Sequence, residues 1–157
     1  MGLDLTWADA AAVMRRRDEC QESGEDCGHQ PGCRDDIEPF PVEVEFPYRQ
    51  LHDVSKIMER LGMGYEVEHL PDEAFSESEM RAEAWRWQRL PGKTGIALFK
   101  LRSNDRWPVT VPEIDEALAA YAGVLERERV EFEADKKWAA WIEWLRRSRQ
   151  HGGFEVE

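Results

Sequence analysis

The chain has 157 residues, a net charge of −12 and a hydrophobic content of 41%. That length is typical of one domain, and seven Trp with six Phe provide enough apolar surface for a hydrophobic core, which argues against an intrinsically disordered chain. No apolar run approaches the roughly 20 residues of a membrane span, and the N-terminus lacks the basic and then apolar order of a signal peptide. The sequence therefore predicts a single cytoplasmic domain over residues 1–157.

Acidic residues are concentrated near the N-terminus. Residues 1–48 carry 12 acidic and 4 basic side chains, whereas residues 91–157 carry 12 acidic and 11 basic ones. Because phosphate binding depends on concentrated Lys and Arg, this distribution argues against direct nucleic-acid binding by the N-terminal part. An acidic surface can instead bind a basic protein, mimic the charge of DNA or RNA, or simply keep the chain soluble.

The first predicted element is a helix over residues 6–18. Thr6 is placed to cap its N-terminus, and Trp7 and Met14 fall on one helical face. The three arginines at 15–17 are expected near its C-terminal end, where positive charge favours the helix dipole; a small anion site is the alternative.

The most chemically specific stretch contains Cys20, Cys27, His29 and Cys33. Three thiolates and one imidazole suit tetrahedral structural Zn²⁺, and the intervening glycines and proline permit the sharp turns that such a loop needs. Four protein ligands would leave no open position for water, so the predicted role is structural and not catalytic. On this interpretation zinc closes the acidic loop over residues 18–38.

Two other states of these cysteines stay open. The ligand spacing differs from common zinc-finger patterns, so a disulfide between Cys27 and Cys33, or three free thiols, would also fit the sequence. The surrounding carboxylates disfavour thiolates in the absence of a cation, yet they would attract a divalent ion.

The middle of the chain alternates predicted strands and helices. Strands are expected at 42–46, where apolar and acidic residues alternate between two prolines, and at 65–69. A helix over residues 48–61 lies between them, with its apolar residues on one face. His52 and Asp53 on this helix point about 100° apart, which favours a surface position over a catalytic pair.

His69 is the best isolated candidate for acid–base catalysis, because Asp72 and Glu73 follow it. The same arrangement also occurs in loops without catalytic function. A helix is predicted next over residues 76–90, with Ser76 as its cap.

A Gly-Lys-Thr sequence at 92–94 is only superficially like a nucleotide-binding loop. The position of the required earlier glycine is occupied by Trp87, and residues 95–101 predict a central strand instead of a phosphate-binding helix.

A Trp-rich helical block is predicted over residues 110–153. Thr110 and Glu113 have the spacing of a capping box, and two apolar stripes out of register indicate a break between Gly123 and Asp135. The alternating residues 154–156 predict a final strand.

Together these elements predict an α+β fold, in which a small, mainly antiparallel sheet packs against four to five helices. The leading functional prediction is an acidic interaction or regulatory protein that binds a protein partner and neither membrane nor nucleic acid directly. A charge-mimicking inhibitor or immunity-type protein for a basic nucleic-acid-binding partner is one alternative. An enzyme using His69, Asp72 and Glu73, or a metal at the Cys/His loop, is the other.

Overall fold

The computed structural model describes residues 2–15, 43–67, 79, 92–102 and 106–157. Residues 10–15 are helical. The elements with both ends described are β1 (Gly2–Trp7), β2 (Glu43–Pro47), α1 (Tyr48–Arg60), β3 (Gly64–Tyr65), β4 (Ile96–Ala97), β5 (Trp107–Val109), α2 (Val111–Ala122), α3 (Glu126–Glu133), α4 (Lys136–Ser148) and β6 (Phe154–Val156). The predicted α+β class is confirmed. Among the described residues, no helix is long and apolar enough to cross a membrane.

The main sheet has four strands in the order β2-β1-β6-β5, and every neighbouring pair is antiparallel. In β1, Leu3, Leu5 and Trp7 are buried while Asp4 between them is exposed. This alternation places one face of the sheet in the core and the other in solvent. The predicted strands at 42–46 and 154–156 are confirmed as β2 and β6, and β2 lies at one edge of the sheet.

The predicted helix over residues 6–18 begins too early. Thr6 and Trp7 belong to β1, where they pair with β2 and β6, and helical residues begin only at Ala10. The Asp9 carbonyl oxygen accepts the first helical hydrogen bonds, at 2.8 Å from Ala12 and 3.0 Å from Val13. The segment forms a strand despite its helical sequence pattern, because strands on both sides provide hydrogen-bond partners for its backbone.

The strand predicted over residues 95–101 is also largely wrong. Only Ile96–Ala97 is extended, and it pairs in parallel with Gly64–Tyr65 in a separate two-stranded sheet. Residues Leu98–Leu101 form a 3-10 turn instead. Every residue from 95 to 101 is nevertheless buried, so the apolar run correctly predicts burial but not secondary structure.

The C-terminal helical block breaks where the two apolar stripes lose register. Gly123 ends α2, and Asp135 starts α4 by accepting a hydrogen bond of 2.8 Å from the Lys137 backbone amide. The α4 tryptophans then pack on the sheet, with Trp141 and Trp144 making edge contacts with Phe154 at 6.1 and 5.9 Å between ring centroids. The tryptophans of α4 are therefore part of the hydrophobic core.

Candidate functional site

The predicted metal ligands Cys20, Cys27, His29 and Cys33 lie outside the described residues. His69, Asp72 and Glu73 lie outside them as well. Within the described ranges, no group of three or more His, Cys, Asp or Glu side chains could hold a metal ion. The zinc site and the acid–base site therefore stay predictions.

His52 and Asp53 lie on α1, where His52 is half-buried and Asp53 is exposed. Their positions agree with the prediction that they are surface residues.

The outward face of the four-stranded sheet carries five carboxylates. Four of them come from the neighbouring strands β2, β1 and β6, and the fifth directly follows β6. Residues that alternate with the buried positions of a strand point away from the core. We call this surface the acidic sheet face; its members are Asp4, Glu43, Glu45, Glu155 and Glu157. Asp4, Glu43 and Glu45 are exposed, and the two C-terminal glutamates are half-buried.

The strand register aligns three of these carboxylates in one row. Asp4 is directly opposite Glu45 of β2. On its other side, Asp4 exchanges two backbone hydrogen bonds with Glu157, of 2.9 and 2.8 Å. Residues opposite each other in antiparallel strands have Cβ atoms about 4.5–5.5 Å apart. Negative charges therefore repeat across three strands at close spacing.

A second row runs parallel to the first. Thr6 is opposite Glu43 on one side and opposite Glu155 on the other, so the threonine separates two carboxylates. Glycine also shapes this surface, because a Cβ atom at Gly2 would overlap the Glu45 carboxylate. The absence of a side chain at Gly2 thus lets Glu45 lie across the face.

Positive charge reaches this face at its β5 end. The Arg106 guanidinium contacts the Glu157 carboxylate at 3.0 Å, and the Arg106 side chain is 64% exposed. Like charges directly opposite each other destabilise a sheet. Sheet stability alone would therefore not favour a row of Glu45, Asp4 and Glu157.

A second polar group joins residues 142 positions apart. The His151 Nδ1 atom lies 3.0 and 3.2 Å from the two Asp9 carboxylate oxygens, and the imidazole stacks on Trp7 with 3.7 Å between ring centroids. Asp9 fixes the orientation of the ring, as a carboxylate does for a catalytic histidine. Catalysis would also need a reacting group within reach of the ring. The described contacts instead indicate that the pair fastens the turn after α4 to the end of β1.

A third group is buried between the 3-10 turn and α2. Lys100 Nζ lies 2.6 Å from Glu113 Oε1 and donates a hydrogen bond of 2.9 Å to the Pro108 carbonyl oxygen. The other Glu113 oxygen accepts the Thr110 backbone amide at 2.9 Å, which confirms the predicted capping interaction at that end of α2. One carboxylate thus serves both the helix start and a buried cation.

The environment of this pair is strongly desolvated. Burial lowers the pKa of Lys100, while the Glu113 charge and hydrogen bond act in the opposite direction. Burial, followed by the charges of Glu113 and Glu116, raises the pKa of nearby Tyr65 to about 12. The side chains of Lys100 and Glu113 are 0% and 1% exposed, so a substrate does not reach them in this conformation. Their geometry supports a structural role.

Sequence patterns missed these last two groups for different reasons. Asp9 and His151 are brought together by the pairing of β1 with β6, so no local sequence spacing predicts their contact. Lys100 interrupts an apolar run, which is a signal of a buried charge, but its partner is defined only once α2 packs on the turn.

Comparison of the chain with protein-family models, with curated proteins and with solved structures gives no match, so these surfaces are interpreted from their own chemistry.

Proposed function

We propose that the protein is a cytoplasmic interaction protein whose acidic sheet face binds a positively charged surface of a protein partner. The observation that carries this proposal is the alignment of Glu45, Asp4 and Glu157 across three adjacent strands. Lys and Arg side chains of a partner would replace the repulsion within the row by attraction. Such complementarity raises the association rate and selects partners by charge.

The overall charge supports a protein partner over a nucleic acid. At a net charge of −12 the chain repels phosphate at long range, and the acidic sheet face adds a local concentration of the same sign. A basic protein is attracted by both.

A sharper version is that the partner is a nucleic-acid-binding protein, which the chain inhibits by occupying its phosphate-binding surface. Two parallel rows of acidic side chains favour this version, because strands spaced about 4.8 Å apart repeat the charge regularly. The partner could then bind either this chain or nucleic acid, but not both at once.

Neutralising the acidic sheet face should weaken binding to a basic probe. We expect the triple variant Asp4→Asn, Glu43→Gln, Glu45→Gln to bind a fluorescein-labelled Arg-Gly repeat peptide about tenfold more weakly, since three exposed charge contacts of about 0.5 kcal/mol each are lost. Fluorescence anisotropy at low salt measures this, and added salt should weaken the wild-type complex.

A matched control separates position from net charge. The variant Glu126→Gln, Glu128→Gln, Glu131→Gln removes the same number of exposed carboxylates from α3, away from the sheet. It should retain most of the affinity. Equal losses in the two variants, or binding that ignores salt, would show that the acidic sheet face has no special role.

We further propose that zinc closes the loop that contains Cys20, Cys27, His29 and Cys33. The support is the ligand set in the sequence, three potential thiolates and an imidazole. Elemental analysis of protein purified without added zinc is expected to give about one zinc per chain, with three thiols becoming reactive after chelation. Protein that contains no metal and has three reactive thiols from the start would refute the site.

A further inference from the structure

An open groove of about 680 Å³ lies among α2, α3 and the C-terminal end of α4. Its apolar wall is formed by Leu118, Tyr121 and Ala122 at the end of α2. Three arginines also line it, Arg129, Arg146 and Arg149. The lining residues belong to helices and to the 3-10 turn Arg149–His151, so the groove is a different surface from the acidic sheet face.

Three arginines line this one groove in a protein that carries a net charge of −12. Arg149 is partly neutralised, because its Nε atom lies 2.6 Å from Asp115 Oδ1. For Arg129 and Arg146, no carboxylate of the described residues lies within ion-pairing distance. The groove therefore contains arginine charge that is not paired by a described carboxylate, in a protein whose net charge is negative.

Arg129 is the least exposed of the three arginines. Its Nε atom is buried and has no hydrogen-bond partner in the part of the chain that the structure describes. Buried donors are almost always satisfied in native proteins, and charged donors are the most costly to leave unpaired. Because this Nε atom has almost no accessible surface, an anion in the groove would contact the terminal nitrogens of the Arg129 guanidinium and not Nε.

The surrounding contacts limit where negative charge can sit. The Tyr121 hydroxyl donates to Glu133 Oε1 at 3.1 Å and accepts from Trp138 Nε1 at 3.2 Å. The tyrosine is thereby held by its own partners, and its ring serves as part of the wall. The Glu133 carboxylate would repel an anion close to Tyr121, so the arginine side of the groove is the favourable position.

We propose that this groove binds a small phosphate monoester. The planar guanidinium groups of Arg129 and Arg146 match two oxygens of a phosphate, and Arg149 has terminal nitrogens left beyond its contact with Asp115. The apolar part of the ligand lies against Leu118 and Ala122. A volume of about 680 Å³ exceeds what a free phosphate needs and falls in the usual range of about 300–1,000 Å³ for small-molecule sites.

Phenyl phosphate and inorganic phosphate test the proposal on the full-length chain. Calorimetry should give tighter binding of phenyl phosphate, and the Arg129 Nε–H resonance in ¹H–¹⁵N spectra should shift on titration. The variant Arg129→Gln, Arg146→Gln should lose affinity by at least about tenfold. The control Arg49→Gln, Arg127→Gln removes two exposed arginines outside the groove and should bind normally.

A further variant keeps the test valid if the arginine changes alter the fold. Ala122→Glu leaves all three arginines in place and adds a carboxylate to the exposed end of α2, so it should also weaken phenyl phosphate binding. The proposal is overturned if neither probe binds, if inorganic phosphate binds as tightly as phenyl phosphate, or if the control variant loses as much affinity as the groove variant.

Discussion

Replacing Lys100 by methionine is expected to lower the free energy of unfolding by about 3–5 kcal/mol, because the Glu113 carboxylate is then left buried without its cation. The side chains of Lys100 and Glu113 are 0% and 1% exposed, and the contact between them is 2.6 Å long. Lys100 also donates to the Pro108 carbonyl oxygen, so the variant leaves a second acceptor without this partner. Urea denaturation followed by circular dichroism measures the change.

Two further variants identify the cause. In the double variant Lys100→Met, Glu113→Gln, no charge remains at this position, and most of the stability should return. By contrast, Arg147→Met beside Glu143 breaks an ion pair whose side chains are 43% and 42% exposed, and it should cost only about 0.3–0.5 kcal/mol. If Lys100→Met costs no more than Arg147→Met, the buried pair is not a stabilising element.

Alanine at Gly95 is expected to destabilise the fold by about 2–5 kcal/mol, combining the cost of an unfavourable backbone conformation with that of a steric clash. Gly95 has a φ of +83°, and a Cβ atom there would overlap the Met63 carbonyl group. Both obstacles involve backbone, so neither is relieved by rotating a side chain. The Gly95 amide also donates a hydrogen bond of 2.8 Å to Glu116, which ties this turn to α2.

Gly62 offers a matched control for this change. Its φ is +70°, and a Cβ atom there would meet nothing within 4 Å. Gly62→Ala should therefore cost only the conformational part, about 1–2 kcal/mol. Thermal or urea unfolding of the two variants isolates the contact with Met63. Equal destabilisation would mean that this close approach is unimportant.

The elements predicted correctly are those encoded locally. The spacing of Thr110 and Glu113 predicts the start of α2, and the alternation of apolar and acidic residues in β2 and β6 predicts half-buried strands. The wrong predictions concern segments whose secondary structure depends on residues far away in the sequence. Trp7 satisfies a helical and a strand pattern alike, and only pairing with residues far along the chain selects the strand. The fully apolar segment after Gly95 carries no period that could distinguish a strand from a buried turn.

The candidate surfaces show the same division. The acidic bias near the N-terminus is visible in the sequence, and it includes Asp4, Glu43 and Glu45. That Glu157 continues their row follows only from the β1–β6 pairing. The arginines near the end of α4 are expected from the helix dipole, but their convergence with Arg129 depends on how α3 and α4 turn at Asp135.

The position of β1 between β2 and β6 has a consequence for synthesis on the ribosome. One edge of β1 is completed by Phe154–Val156, close to 150 residues later, and β6 also joins β5 to the sheet. At translation rates of about 5–20 residues per second, about 7–30 s separate the first strand from its last neighbour. During that interval Leu3, Leu5 and Trp7 lack the sheet that buries them. The nascent chain therefore keeps part of this apolar surface exposed until β6 has been synthesised.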